Sequence, residues 1–406
     1  MLGQLNSKAS ILSLGLLLIV AMFSLSILSN HTLNNYSTGA LAQPFIQTVK
    51  HRDLVIDLGN GIQTNAQLTI PAVGNGPFPG VLLVAGSGAI DMNETLSPDS
   101  KPFWQIAQYL SDRGFVVLRY DKRGVGANSQ IIDTNIWGNS TFDDLKNDAE
   151  IALGVLTQQP EVDPTKITLI GHSEGTIIAP RIVIDQENKT NATTIKNVVL
   201  MGSAATTMAD LAHYQKVGIV LEYMHQVLDK NGTGSISVEE AIQDPLVGRF
   251  VVANFVNDTT TEFIDIDRQV KPLLEKELEE FTKADVNTRC DNPEGCPIWF
   301  NSAVNLEPNL SVIGNLSKST SILMLNGEND PLTPVQQSFL LEQRLTEVDH
   351  PDHILITYPS LGHTFAISPQ WSTGLGPIEQ HVLSDLHSWL SHRTHGLLEV
   401  LSYNDR

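Results

Sequence analysis

Short, uniformly apolar runs alternate with stretches of helical spacing along most of this chain, and that alternation limits its fold more than any other feature. The runs are VLLVAG at 81–86, FVVLRYD at 115–121, KITLIG at 166–171, VVLMG at 198–202, TSILMLN at 320–326 and HILITY at 353–358. Strands apolar on both sides are buried on both faces, the mark of a parallel sheet sandwiched between helices. Helical stretches fall between them, near 102–112, 141–158, from 175, 334–346 and 377–391. In the second, Phe142, Leu145, Ala149, Ala152, Leu153 and Leu156 share one side. Two further strand candidates, at 54–58 and 66–71, precede the turn GNGPFPG. The expected fold is an α/β core, a mostly parallel sheet with helices on both faces. Between Gly202 and about Asn315 the alternation stops. The core is therefore expected over 43–202 and 316–406, with a mainly helical cap inserted at 203–315.

Composition narrows the class. With 41% hydrophobic residues the chain can bury a large core, and disorder throughout is excluded. There are 45 acidic against 25 basic side chains, a net charge of -20, and no basic block. Nucleic acid is thus excluded as a partner, since its phosphates need clustered Lys and Arg. Residues 1–42 hold one charged side chain, Lys8, followed by an apolar run over residues 11–28 and by Ala40-Leu41-Ala42. This segment reads as a cleaved signal peptide or as an uncleaved N-terminal anchor tethering the protein to the membrane. Both place the body outside the cytoplasm, secreted or held at the outer face. Cys290 and Cys296, the two cysteines, flank a Pro/Gly turn; a local disulfide is favoured over two free thiols in an oxidising compartment. Asn-x-Ser/Thr sequons recur from Asn30 to Asn315 and permit glycosylation.

Gly171-His172-Ser173-Glu174-Gly175 is a G-x-S-x-G pentapeptide between an expected strand and an expected helix. Such a sharp turn holds a serine in strained backbone, and its glycines let neighbouring chain come close. It also sets Ser173 at a helix N-terminus, where unpaired N–H groups can stabilise an oxyanion. A serine nucleophile needs a base, and the base an orienting carboxylate. Asp330, followed by Pro331, lies in the loop after the strand at 320–326, with Glu328 as the alternative acid. His363 lies in the loop after the last strand; His172 is read as packing behind the turn.

The order Ser, Asp, His, the elbow GHSEG, the loop GSGAIDMNE, the segment YDKRGVGANS and the loops NGENDP and GHTF together resemble the α/β-hydrolase superfamily. The similarity is greatest to a secreted serine-esterase branch with GSG-x-x-D-x-x-E and GHSEG, over about 50–202 and 318–395. The resemblance implies Ser173 as nucleophile, His363 as base and then acid, and Asp330 as its partner. It implies an oxyanion hole from the backbone N–H groups of Glu174 and Ser87. It further implies that Asp91 and Glu94 are an acidic pair bracing the loop, and that Asp121, Arg123, Gly124 and Gly126 form a turn supporting the elbow. It implies a small-molecule ester as substrate and no organic cofactor. A peptidase or thioesterase on the same triad, or a calcium-dependent binding module on an inactive scaffold, are the alternatives.

Inside the insertion, residues 229–240 fit the twelve-residue EF-hand pattern. Asp229, Asn231, Thr233, the Ser235 carbonyl and Glu240 are candidate calcium ligands, with Gly234 at the sixth position. A structural ion is one reading and an empty Gly-rich turn the other; the sequence shows no second hand to pair with it. Val220, Tyr223, Met224 and Leu228 give the entering helix an apolar face. The stretch VKPLLEKELEEF at 270–281 reads as an amphipathic helix whose apolar side lines an acyl slot.

Overall fold

The computed structural model describes residues 48–189, 193–256, 262–283 and 296–394. The apolar run at 11–28, Cys290 and the sequons at Asn30, Asn35, Asn191 and Asn257 fall outside them. Strands β1 (Val49–Gly59) and β2 (Ile62–Pro71) form a hairpin. Its turn residues, Asn60 and Gly61, both have positive φ, which suits the right-handed twist of the two strands. There follow β3 (Phe78–Val84), α1 (Pro102–Ser111), β4 (Val116–Tyr120), α2 (Phe142–Thr157), β5 (Val162–His172), α3 (Gly175–Glu187) and β6 (Ile195–Met201). After the insertion come β7 (Ser321–Gly327), α4 (Val335–Glu347), β8 (His353–Tyr358) and α5 (Gln380–Thr394).

The eight strands lie in the order β1-β2-β4-β3-β5-β6-β7-β8. From β4 to β8 every pairing is parallel, and β2 alone runs against its neighbours. Helices α2, α3 and α4 cover one face, burying Phe142, Leu153, Ile178, Ile182 and Leu341 against it. Helices α1 and α5 cover the other with Phe103, Ile106, Leu110, Leu386 and Leu390. Each such side chain contributes about 1.5–3 kcal/mol when fully buried. The chain leaves β3 towards β4 and then crosses back to β5, so β3 and β5 flank the point where the winding reverses. Loops at the C-terminal ends of strands meet at such a point, and it is there that open α/β sheets build their sites.

The insertion carries a core of its own. Helical segments Met208–His213, Tyr214–Gly218, Ile219–Tyr223 and Met224–Leu228 follow one another without a break. Met224, Ile236, Phe250, Val251, Ile264 and Ile266 pack together, apart from the sheet. The 229–240 loop contributes one strand to a short two-stranded sheet. Ser235–Ser237 pairs antiparallel with Phe263–Asp265, Ile236 opposite Ile264, and the second strand leads into the helix Lys271–Thr282. Four residues past Ile236 stands Glu240; four past Ile264 stands Arg268, a cation where a ligand is looked for, so the second unit carries no carboxylate signature. The apolar side of Lys271–Thr282 is taken up by packing: Leu273, Leu274 and Leu278 join the cap core, and Phe281 meets Phe300 at 5.4 Å between ring centres.

Candidate active site

Ser173 sits between β5 and α3 with φ of 54°, in the left-handed region that non-glycine residues seldom occupy. Its backbone N–H is held by the carbonyl of Met201 at 2.9 Å, tying the turn to the end of β6. The glycines beside it are dictated by space. A Cβ on Gly171 would lie 2.2 Å from the carbonyl oxygen of Gly175, and one on Gly175 would lie 2.0 Å from that of Val84. Both contacts are with backbone, which cannot step aside.

The base and acid candidates meet on the same rim. His363 Nδ1 lies 2.8 Å from Asp330 Oδ2, both side chains being almost wholly buried. The carboxylate also accepts the N–H groups of Leu332 and Thr333 at 2.8 and 2.9 Å and the Thr333 hydroxyl at 2.8 Å. Burial alone would raise the Asp330 pKa. The charge and hydrogen bond of His363 and the Thr333 bonds outweigh it, and the carboxyl is held below its ordinary range. Such a carboxylate fixes the tautomer that leaves Nε2 free to act as a base. Glu328, the alternative acid, faces away and accepts the Thr357 hydroxyl at 2.8 Å. Gly202, next to Met201, packs under the His363 ring, where a Cβ would come within 3.1 Å of Cε1. The serine hydroxyl itself makes no hydrogen bond to the imidazole among the described residues; in ligand-free sites this contact is often long and closes only around substrate.

His172 does more than pack. Nδ1 lies 2.8 Å from Glu94 Oε1 and Nε2 lies 3.0 Å from the backbone carbonyl of His363, with the two imidazole rings 4.6 Å apart. A carbonyl only accepts, so Nε2 donates to it, and Nδ1 faces the Glu94 carboxylate. The charge of Glu94 favours the protonated imidazole of His172. The titration directions agree. Burial would lower the His172 pKa, but the Glu94 charge raises it overall; burial would raise that of Glu94, but His172 lowers it overall. Glu94 also accepts the Gly86 N–H at 3.3 Å. Asp91 braces the same loop by accepting the N–H groups of Asn93, Thr95 and Asn128.

Neither Ser87 nor Glu174 donates its backbone N–H to another group among the described residues, and Ser87 is exposed while the Glu174 side chain is buried. Arg123 grips Asp148 with two bonds, at 2.6 and 2.7 Å, and Asp144 at 2.8 Å, fixing the turn after β4 on α2. Cys296 is buried and disulfide-bonded; Cys290 is not among the described residues.

In the 229–240 loop the Asp229 carboxylate accepts the N–H groups of Thr233 and Gly234, at 2.9 and 2.8 Å, and these bonds hold its pKa below the ordinary value. Thr233 Oγ1 lies 3.3 Å from Asp229 Oδ1 and 3.4 Å from the Ser235 carbonyl oxygen. Both are hydrogen-bond contacts of the Thr233 hydroxyl within the loop. Glu240 is exposed and turns to Lys230, 3.7 Å away, and Asn231 is exposed. No cluster of three or more His, Cys, Asp or Glu side chains able to hold a metal occurs among the described residues.

Comparison with known proteins adds three findings. The model of the family described as Serine aminopeptidase, S33 matches residues 97–272, a span that includes the elbow and ends before Asp330 and His363. Esterase EstD of Thermotoga maritima is 35% identical over 136 residues, which are 34% of this chain and only 30% of that relative's length. Among solved structures, the α/β hydrolase GrgF from Penicillium sp. sh18 aligns over 85% of this chain and 99% of its own, at 15% identity and a TM-score of 0.50. A hypothetical protein from Pseudomonas aeruginosa aligns over 90% and 100%, at 17% identity and a TM-score of 0.49. The sheet order, with its mostly parallel strands and two helical faces, is the α/β-hydrolase fold.

Proposed function

We propose that the protein is an exported serine hydrolase that cleaves carboxylic esters through an acyl-enzyme on Ser173. The observation that carries the reading is the buried His363–Asp330 pair, at 2.8 Å, on the rim that also bears a serine in left-handed backbone. In this reading His363 takes the serine proton as the hydroxyl attacks the ester carbonyl. The oxyanion points at the N–H groups of Ser87 and Glu174, and the alcohol leaves with the proton from His363. Water then repeats the sequence and frees the acid. The partial similarity to an esterase supports the substrate class. A peptidase reading draws on the aminopeptidase description of the matching family, and the triad chemistry itself does not separate the two.

Export rests on the apolar run at 11–28 and on the disulfide at Cys296, a bond typical of oxidising compartments. Calcium in the 229–240 loop would be a structural ion, with Asp229, Asn231, Thr233, the Ser235 carbonyl and Glu240 as the residues that would hold it. It would stiffen the cap and take no part in bond cleavage. A panel of p-nitrophenyl esters of rising chain length and of aminoacyl p-nitroanilides, run on wild type and on Ser173→Ala, tests the reading. Ester turnover lost in the variant is the expected result. Turnover confined to the anilides makes the protein a peptidase, and turnover that survives Ser173→Ala removes the mechanism.

A further inference from the structure

We propose that the buried ion pair between Lys122 and Glu174 positions the oxyanion hole, setting the direction of both backbone N–H groups that receive the developing charge. The inference rests on the acyl-transfer reading of Ser173. Lys122 and Glu174 are 52 residues apart and their charged groups lie 2.8 Å apart, with side chains 6% and 0% exposed. The Lys122 ammonium also donates to the backbone carbonyl of Gly86 at 2.5 Å. That carbonyl belongs to the peptide joining Gly86 to Ser87. A trans peptide is planar, with its C=O and N–H pointing opposite ways. Holding the Gly86 oxygen on Lys122 therefore turns the Ser87 N–H away from Lys122, on the loop where the serine is in contact: a Cβ on Gly86 would lie 3.0 Å from that of Ser173. The other atom of Gly86 is fixed as well, since its N–H donates to Glu94.

Glu174 brings in the second donor. Its own backbone N–H is the donor next to the nucleophile, at the start of α3, and its carboxylate is held from two directions. One oxygen takes the Lys122 ammonium; the other takes the indole N–H of Trp299, from the helix Pro297–Ala303 that follows Cys296. One lysine thus grips the peptide that carries one donor and the side chain of the residue that carries the other. A buried pair is a poor source of stability, because desolvation consumes most of its attraction. Its gain here is geometric, since oxyanion donors act only when aimed in advance at the place where charge appears. Lys122 and Glu174 are positioning residues; their side chains touch no reacting atom.

The test uses the full-length protein and the best ester of the Ser173-dependent panel. Lys122→Met, Glu174→Gln and the double variant Lys122→Met/Glu174→Gln are compared with wild type. The expected result is a fall in kcat of about 10- to 100-fold with KM within about twofold. Affinity for an alkyl boronic acid, which forms a tetrahedral adduct on the serine, should fall in parallel with kcat/KM. Asp352→Asn, which breaks the pair with Arg393 just before β8, at the end of the sheet opposite the rim, gives the pattern of a merely structural pair: a lower Tm with kcat and boronate affinity unchanged. Lys122 variants that follow that pattern overturn the proposal. Should Lys122→Met not fold, the double variant, which leaves no lone buried charge, carries the test; failure of both to fold makes the pair structural and also overturns it. Absence of Ser173-dependent turnover in wild type is a separate result, and removes the functional reading itself.

Discussion

The rim of the sheet and the 229–240 loop both gather oxygen and charge, but they do so in opposite ways. On the rim, Asp330 reaches His363 across 33 residues, His172 reaches Glu94 across 78, and Lys122 reaches Glu174 across 52. All six side chains are buried. In the loop, Asp229 is satisfied within five residues, and Glu240 stays exposed beside Lys230. Burial thus goes with commitment: Asp229, buried as well, is satisfied by its own loop, while the exposed Glu240 has only Lys230 beside it. A charge drawn into the core must have a fixed partner, because leaving it alone costs several kcal/mol. A charge at the surface is free to wait for an ion.

The largest expected difference is in catalysis. Asp330→Asn should lower kcat of ester hydrolysis by about 10⁴-fold while the protein stays folded, because an amide favours the wrong imidazole tautomer. A loss below about tenfold, measured by steady-state kinetics, would detach Asp330 from the chemistry. Next is the stability of the His172–Glu94 pair. Glu94 is depressed, so its contribution is present above the ordinary carboxylate range and is lost as pH falls through its lowered value. His172 is raised, so its contribution is complete below the ordinary imidazole value and is lost as pH rises through its elevated value. The pair should stabilise most between those limits. Glu94→Gln should cost roughly 3–5 kcal/mol there and flatten both limbs, read by thermal melts across pH.

Gly175→Ala forces a methyl onto the Val84 carbonyl and should cost about 3 kcal/mol or more, seen in urea unfolding or as failure to fold. A tolerated alanine would show that the elbow is looser than its contacts imply. The smallest effect belongs to the loop. Calcium at several times its Kd should raise Tm by roughly 2–4 °C through binding to the folded state alone, and Asp229→Ala should abolish the rise. An equal rise in both proteins leaves the loop without an ion of its own.

Much of this was legible in the letters, for identifiable reasons. Strands β3 to β8 were found because residues buried on both sides leave uninterrupted apolar runs. Ser173 stood out because strained backbone and close packing admit only glycine around it, and that demand is written locally. The second strand of the cap escaped notice because Phe263–Asp265 precedes Arg268 in place of a carboxylate. His172 was read as packing because a single histidine carries no sign of the carbonyl and carboxylate waiting on its two sides. Lys122 lies in the motif YDKRGVGANS, but its letter does not say that it turns inward to Gly86 and Glu174, and Trp299 carries no local sign of its bond to Glu174.

Local backbone demands, the period of the apolar residues and the order of the strand-end loops are properties of neighbouring letters, and the sequence determined them: an α/β core, a serine in a tight turn, and acid and histidine in later loops. Which charges face one another was decided only by the folded sheet. Its parallel strands carry residues scores of positions apart to one edge, and there burial forces each charge to take whichever partner lies within reach. That Asp330 rather than Glu328 holds His363, and that one lysine joins Gly86 to Glu174, are outcomes of that geometry.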